Sequence, residues 1–296
     1  MNRKISVVVP TYNCEESIGR LLDSLIRQSY SDFEVIIVDS STDETYKIAG
    51  SYGVKVVRSR RLGANNARNI GLKLSIGDIV CFTDGDCWVD REWIENIVKD
   101  FNLNNRIGCV GGSVVTMPTN LLSRYMNETI VSFFPKYNSR SYIVAMSQVF
   151  EQPFGDVRLP VGCNMAFRRK ILMDMGGFDE GFIGGYEEFD VMINLLKRGW
   201  YILVDPRVKV YHEPQTSITK MIRKTYMYGK GARKLIGKHK LSSKLKFKRG
   251  FEGIFRSIKH SIETYKRYRK PEVFTYPVFD ILFGLAYYFS FTLHKK

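Results

Sequence analysis

Two aspartates, Asp84 and Asp86, flank Gly85 directly after the apolar run Ile79-Val80-Cys81-Phe82. A short run that is apolar on both faces and ends at a glycine turn reads as a buried strand. Carboxylates at the end of such a strand cost desolvation energy unless something cationic sits with them. A divalent ion held by hard oxygen ligands, itself gripping a diphosphate, is the chemistry this spacing suits. A second acidic cluster, Glu187-Glu188-Phe189-Asp190, opens a predicted helix. The helix dipole tolerates carboxylates there, so composition alone requires nothing more than an acidic first turn. His212 follows an apolar stretch, where a lone histidine reads first as a structural residue. An isolated Asp-Gly-Asp also reads first as a solvated turn, so the rest of the chain decides.

The elements that must position these residues alternate along the first hundred positions. Ile5 to Val9, Glu34 to Asp39, Val54 to Val57 and Ile79 to Thr83 read as strands. Asn13 or Ser17 can cap a helix running to about Gln28, with Glu15 and Glu16 in its first turn. Asp43 to Ser51 and Ala64 to Ser75 read as helices, and Asp90 as the cap of an amphipathic helix from Arg91 to Leu103. Strands buried on both faces and joined by helices imply a parallel sheet, with ligands at the carboxyl ends of the strands. Beyond that point Gly108 to Thr116, Pro160 to Arg168, Trp200 to Val204 and Val208 to Tyr211 read as strands, and Asp190 to Arg198 as a helix. Tyr125 to Gln152 is aromatic and poorly periodic. No dinucleotide glycine fingerprint and no P-loop follows the first strand, which excludes nicotinamide enzymes and P-loop NTPases.

Charge divides the chain of 296 residues. Of 45 Lys+Arg and 30 Asp+Glu, 20 and 4 lie in residues 216–296, a net of +16, leaving 25 and 26 before them. A nearly neutral body, residues 1–215, therefore carries a basic region, residues 216–296, that calls for a polyanionic surface. Between Lys220 and Lys270 the basic residues interleave with apolar ones at helical spacing, and Phe274 to Leu293 is apolar and aromatic. That ending suits an anionic membrane surface better than nucleic acid. The segment is at the length limit for a span of about 20 residues, and Asp280 would be costly in hydrocarbon, so a helix lying in the interface is expected rather than one spanning helix. Cys14, Cys81, Cys87, Cys109 and Cys163 are scattered and odd in number, which predicts buried free thiols in a reducing cytosol. Ile5 to Val9 is too short for a signal-peptide core.

A series of motifs then resembles one family. VVVPTYN at Val7–Asn13, VDSSTDET at Val38–Thr45, ARN at Ala67–Asn69 and DGD at Asp84–Asp86 stand in the order found in family 2 glycosyltransferases. NMAFRR at Asn164–Arg169, GGFDE at Gly176–Glu180, GGYEEFD at Gly184–Asp190 and VYH at Val210–His212 continue it, so the resemblance covers about residues 4–215. It implies a GT-A fold of the α/β class: a Rossmann-like nucleotide-binding half with a mixed central sheet, here followed by the basic amphipathic helical region. By the same resemblance Asp39 reads the nucleotide base, Pro10, Thr11 and Tyr12 line the nucleoside pocket, and Arg68 lies near the diphosphate. Asp84 contacts ribose or metal, Asp86 ligates Mg²⁺ or Mn²⁺, and His212 supplies a third ligand or contacts the diphosphate. Gly162 and Asn164 face the donor sugar. Glu188 stands where the family's general base is usually Asp; Glu187 or Asp190 could share the role.

The resemblance implies an inverting, metal-dependent transfer of one sugar from a UDP- or GDP-sugar to a hydroxyl of a lipid-linked or other saccharide acceptor, at the cytoplasmic face of a membrane. The Gln-x-x-Arg-Trp motif of processive members is missing, and Met221-Ile222-Arg223-Lys224-Thr225-Tyr226 stands in its region. The alternatives are a polyprenyl-phosphate glycosyltransferase and a non-catalytic membrane- or nucleic-acid-binding protein.

Overall fold

The computed structural model describes residues 3–129, 140–146, 158–214, 216–241, 258–259, 261–266, 269 and 271–292. They fall into two compact units. The first comprises Met1–Met117, Ser132–Glu180 and Glu187–Glu213; the second comprises Pro118–Val131, Gly181–Tyr186 and Pro214–Lys296.

The first unit is built on one sheet. Its strands are β1 (Ile5–Thr11), β2 (Phe33–Asp39), β3 (Lys55–Arg58), β4 (Ile79–Phe82), β5 (Cys87–Val89), β6 (Ile107–Thr116), β7 (Tyr142–Val144), β8 (Met165–Arg168) and β9 (Tyr201–His212). The order is β3-β2-β1-β4-β8-β6-β9-β5, with β7 also pairing β9. Strands β3, β2, β1 and β4 run parallel, as their buried apolar runs predict. β8 then runs antiparallel to both β4 and β6, and β5 and β7 run antiparallel to β9. The sheet is therefore mixed rather than wholly parallel, because a strand buried on both faces carries no sign of its direction.

Alternation along β1 assigns the two faces. Ile5, Val7 and Val9 pack with helices Ile18–Ile26 and Trp93–Leu103, burying Leu21, Leu22, Leu25, Trp93, Ile97 and Phe101. Val8 points the other way, toward helices Ala64–Leu74 and Glu187–Lys197 through Ala67, Leu72, Val191, Met192 and Leu195. Pairing of Thr11 with Asp39, and of Asp39 with Arg58, aligns the carboxyl ends of β1, β2 and β3 at one edge.

Several local expectations are corrected. Of the two expected caps, Ser17 stands at the N-cap position of the helix that starts at Ile18, but its side chain makes no capping bond. Its hydroxyl instead donates to the Gly85 carbonyl at 2.9 Å, while Asn13 sits at φ 52° in the preceding turn. The Arg91 helix begins at Trp93, because Asp90 forms a turn in which its carbonyl accepts from the Trp93 N–H. Two strands expected at Trp200–Val204 and Val208–Tyr211 are one strand, β9, with a register shift against β6 between Gly112 and Ser113. A side chain at Gly112 would lie 2.1 Å from the carbonyl oxygens of Asp205 and Val208, so glycine lets the bulged backbone close up. Of Pro160 to Arg168 only Met165–Arg168 is strand; Val161 bridges Asn164 in a turn. Part of Tyr125 to Gln152 lies outside the described residues; the rest contributes the end of a helix and β7.

The second unit holds helices Leu121–Thr129, Ile218–His239 and Tyr276–Thr292, the last preceded by a 3₁₀ turn, Pro271–Thr275. Ser217 caps Ile218–His239 by accepting from the Lys220 N–H. Tyr276, Phe283 and Ser290, at seven-residue spacing, form the buried stripe of the last helix. A side chain at Gly229 would lie 2.5 Å from the Tyr287 carbonyl, so that glycine permits close helix packing. Tyr125 packs on Tyr276, Phe279 and Phe283 and donates its hydroxyl to Asp280 at 2.6 Å. The basic run from Ser242 to Phe251 lies outside the described residues.

Candidate active site

Helix Ala64–Leu74 begins after Gly63, which adopts φ 98°, and directs Arg68 into the protein, 3% exposed. Arg68 Nη1 donates to Glu187 Oε1 at 2.9 Å and to Asn65 Oδ1 at 3.2 Å, and Nη2 reaches Asp84 Oδ1 at 3.3 Å. One guanidinium thus ties the loop after β4 to the first turn of helix Glu187–Lys197. A side chain at Gly162 would come within 2.9 Å of Arg68 Nη2, which explains the glycine. Burial alone would lower the Arg68 pKa, but the Asp84, Glu187 and Glu188 carboxylates raise it above its ordinary value.

Asn69, one residue on, anchors the Gly-Gly-Phe-Asp-Glu motif. It donates to the Phe178 carbonyl and to Glu180, both at 2.9 Å, and accepts from the Phe178 N–H at 2.8 Å.

Glu188 is only partly exposed. Burial and then the neighbouring Glu187 carboxylate push its pKa up to about 8. Asp190 is buried on the same helix, 2% exposed.

At the sheet edge Asp39 is fully buried. Its Oδ1 accepts from Thr11 Oγ1 at 2.8 Å and Ser41 Oγ at 2.5 Å, and its Oδ2 from Arg58 Nη1 at 2.6 Å. Tyr12 is exposed, with the Arg61 guanidinium 3.7 Å from its ring centroid, and Pro10 is half-buried beside them. Neither arginine was singled out from the sequence. The pairing of Asp39 with Arg58 across adjacent parallel strands is the signal that would have found the first.

Asp86 and His212 meet on the other side of the loop, with Oδ1 and Nε2 3.5 Å apart. His212 Nδ1 lies 2.5 Å from the Glu213 carbonyl, and a carbonyl only accepts, so Nδ1 carries the proton. In the neutral imidazole the Nε2 lone pair then faces a carboxylate oxygen. Two acceptors at this distance suit a shared cation, and a carboxylate with an imidazole suits Mn²⁺ or Mg²⁺. Cys87, absent from the sequence-derived set, adds its sulfur to the group. Burial raises its pKa well above the usual thiol range, so it stays a neutral donor toward Asp86. Asp84 lies with Arg68, and Asn164 is used inside the fold, accepting from Trp93 Nε1 and donating to the Ser113 and Val208 carbonyls.

The fold is that of the GT-A class. The glycosyl transferase family 2 model matches residues 6–176, and the chain belongs to that family. A glucosyl-dolichyl phosphate glucuronosyltransferase of Haloferax volcanii is 30% identical over 185 residues, 60% of this chain. The chain spans 56% of that relative's length, and 15% and 33% of the lengths of two other curated relatives from Streptococcus pneumoniae and Bacillus subtilis. Among solved structures, a mannosyltransferase from Pyrobaculum calidifontis in complex with GDP-Man and Mn²⁺ superposes with a TM-score of 0.63 at 18% identity, covering 96% of this chain and 87% of that one. A Staphylococcus aureus TarS fragment in complex with UDP gives 0.54 at 18% identity, covering 95% and 91%.

Replacing Arg68 by Met strands the Glu187 carboxylate in a low-dielectric site and is expected to cost about 3–5 kcal/mol in urea unfolding. Arg68→Lys keeps the charge but not the fork and should lose less. A loss of less than about 1 kcal/mol in Arg68→Met, the size expected of a surface ion pair, would mean that the cluster does not hold these elements together.

Proposed function

We propose that this protein is an inverting, metal-dependent glycosyltransferase that moves one sugar from a UDP- or GDP-sugar to a hydroxyl of a lipid-linked saccharide at a membrane surface. The observation that carries this reading is the convergence of Asp84, Glu187 and Glu188 on Arg68, with Asp86 and His212 presenting two ligand atoms at the other side of the same loop. The family match and the GDP-Man, Mn²⁺ and UDP of the two solved structures support the donor class. The dolichyl-phosphate relative supports the lipid-linked acceptor.

In this reading Asp86 and His212 hold the ion, and the Glu213 carbonyl fixes the imidazole tautomer that can ligate. A bound Mn²⁺ or Mg²⁺ supplies charge neutralisation at the departing diphosphate. Tyr12, Thr11 and Pro10 border the nucleoside, and Asp39 with Arg58 offers the base an acceptor beside a donor. Arg68 is a positioning residue, holding Asp84 toward the nucleotide and Glu187 in place next to Glu188. Glu188 takes the proton of the acceptor hydroxyl as its oxygen bonds to the anomeric carbon. The bond from that carbon to the diphosphate oxygen breaks on the opposite face, which inverts the configuration. Glu187, committed to Arg68, keeps Glu188 basic by placing a negative charge beside it.

Metal binding is checked by calorimetric titration of Mn²⁺ with a nucleoside diphosphate. Asp86→Ala should abolish the metal-dependent component, and Asp84→Ala should weaken it less. Wild-type affinity in Asp86→Ala would remove Asp86 from the site.

The base assignment has a sign. A carboxylic acid held near pKa 8 is active only when ionised, so kcat/KM should climb with pH up to about 8 and then level. Glu188→Gln should lower turnover about a hundredfold or more with donor affinity unchanged, and should abolish that limb. The same limb persisting in Glu188→Gln would assign it to another group.

The C-terminal region is read as a membrane contact. The helix over 271–292 is long and apolar enough to cross a bilayer, and it exposes Val278, Ile281, Leu285 and Phe289. A chain truncated after Lys270 should bind anionic vesicles at low salt and leave them at high salt, whereas the full chain should stay bound in both. Flotation of the full chain free of anionic vesicles at low salt would overturn the membrane reading.

A further inference from the structure

Within the second unit, Lys230, Arg233, Lys234 and Gly237 lie on one face of helix Ile218–His239 and, with Ser290 of the last helix, line an open cavity of about 360 Å³. The positions i, i+3, i+4 and i+7 stack on a helix, so three cationic side chains converge where the small Gly237 leaves space. Ser290 is fully buried, yet its hydroxyl has no hydrogen-bond partner among the described residues. The same holds for the buried Nη1 of Arg233. Lys230 packs on the Tyr226 ring and Lys234 on the Phe182 ring, 5.1 and 4.5 Å from the centroids. No carboxylate among the described residues pairs with Lys230 or Arg233. A buried hydroxyl and a buried guanidinium nitrogen left without partners cost stability unless a ligand satisfies them.

We propose that this cavity binds a phosphate group presented by a membrane lipid. Lys230 and Arg233, the two lining cations that no described carboxylate pairs with, match the near-double charge of a phosphomonoester. Arginine's planar fork suits two phosphate oxygens, and the serine hydroxyl can donate to a third. A lipid source is argued from the helix that carries Ser290, which leaves Leu285, Tyr288 and Phe289 exposed. This assignment rests on the membrane reading above, and fails separately from it.

The test is flotation of the full chain with phosphatidylcholine vesicles carrying a polyprenyl phosphate or phosphatidate. Vesicles of matched surface charge carrying oleate present a carboxylate instead. Phosphate-bearing vesicles should bind the protein more tightly than oleate-bearing ones. Arg233→Gln should weaken that binding about ten-fold, the value of one charge-assisted hydrogen bond, with nucleoside diphosphate affinity unchanged. Arg223→Gln removes the same charge from an exposed position outside the cavity and should weaken it much less. Ser290→Ala changes no charge and little volume, and should also weaken it. Equal losses in Arg233→Gln and Arg223→Gln, or equal binding to oleate vesicles, would reduce the effect to diffuse charge and overturn the site while leaving membrane contact intact. Thermal stabilisation by inorganic phosphate, lost in Arg233→Gln, in a protein that ignores phosphate-bearing vesicles would overturn the lipid source.

Discussion

The site depends on a single buried cation. Arg68 reaches Glu187 with one terminal nitrogen and Asp84 with the other, joining a helix, a strand-end loop and the first turn of a second helix. An ammonium on a flexible stem is a point charge and could not hold both carboxylates at these distances, whereas a guanidinium presents a rigid fork. Burying such a charge costs several kcal/mol, which only well-placed partners offset. The offset is incomplete: Arg68 Nε and Glu187 Oε2 lack hydrogen-bond partners among the described residues. Two buried atoms left short of partners are unusual in a packed core and common where a substrate completes the network. Gly162 has no side chain because the guanidinium occupies that space.

This charge arrangement separates two kinds of carboxylate. Asp86 is nearly half exposed, with its Oδ1 3.5 Å from His212 Nε2. Burial first, and then the neighbouring Glu187 carboxylate, outweigh the pull of Arg68 on Glu188 and raise its pKa to about 8. In the proposed mechanism Asp86 would hold the metal while Glu188 exchanges the proton. Glu188 is longer by one methylene than the aspartate usual at this position in the resembled family, and Glu187 beside it is bonded to Arg68.

The parallel half of the fold was legible because β1, β2 and β4 are apolar on both faces and end in polar turns. Direction was not legible: nothing in Met-Ala-Phe-Arg distinguishes an antiparallel β8 from a parallel one. The β9 bulge was misread as a break between two strands because Asp205-Pro206-Arg207 looks like a turn; the decisive residue, Gly112, lies on the neighbouring strand. At the site, residue types near a motif were readable, but their partners were not. Arg58 lies one residue beyond the strand expected at Val54 to Val57, and its meeting with Asp39 is a matter of register. Glu213 acts through its carbonyl, for which side-chain chemistry carries no signal. Asn164 shows the converse: its motif position suggested a ligand contact, while its amide fills three internal hydrogen bonds.

Asp280 links the sequence argument about the C-terminal region to the structure. A carboxylate in the middle of an apolar segment weighs against hydrocarbon on composition alone. Its pairing with Tyr125 inside the second unit changes the geometry of that objection, since the charge lies on a side of the helix that packs against protein. The buried stripe of Tyr276, Phe283 and Ser290 faces the same unit, and the exposed residues Val278, Ile281, Leu285 and Phe289 recur at three- and four-residue steps. For the proposed membrane contact, one protein-packed side and one exposed apolar side fit a helix that lies along the bilayer surface better than one that crosses it. In the proposed membrane contact, Lys230, Arg233 and Lys234 of the neighbouring helix would attract headgroups while the apolar stripe would enter the acyl boundary. The charge concentrated after Gln215 and the aromatic character of the final helix are thus two halves of one proposed contact.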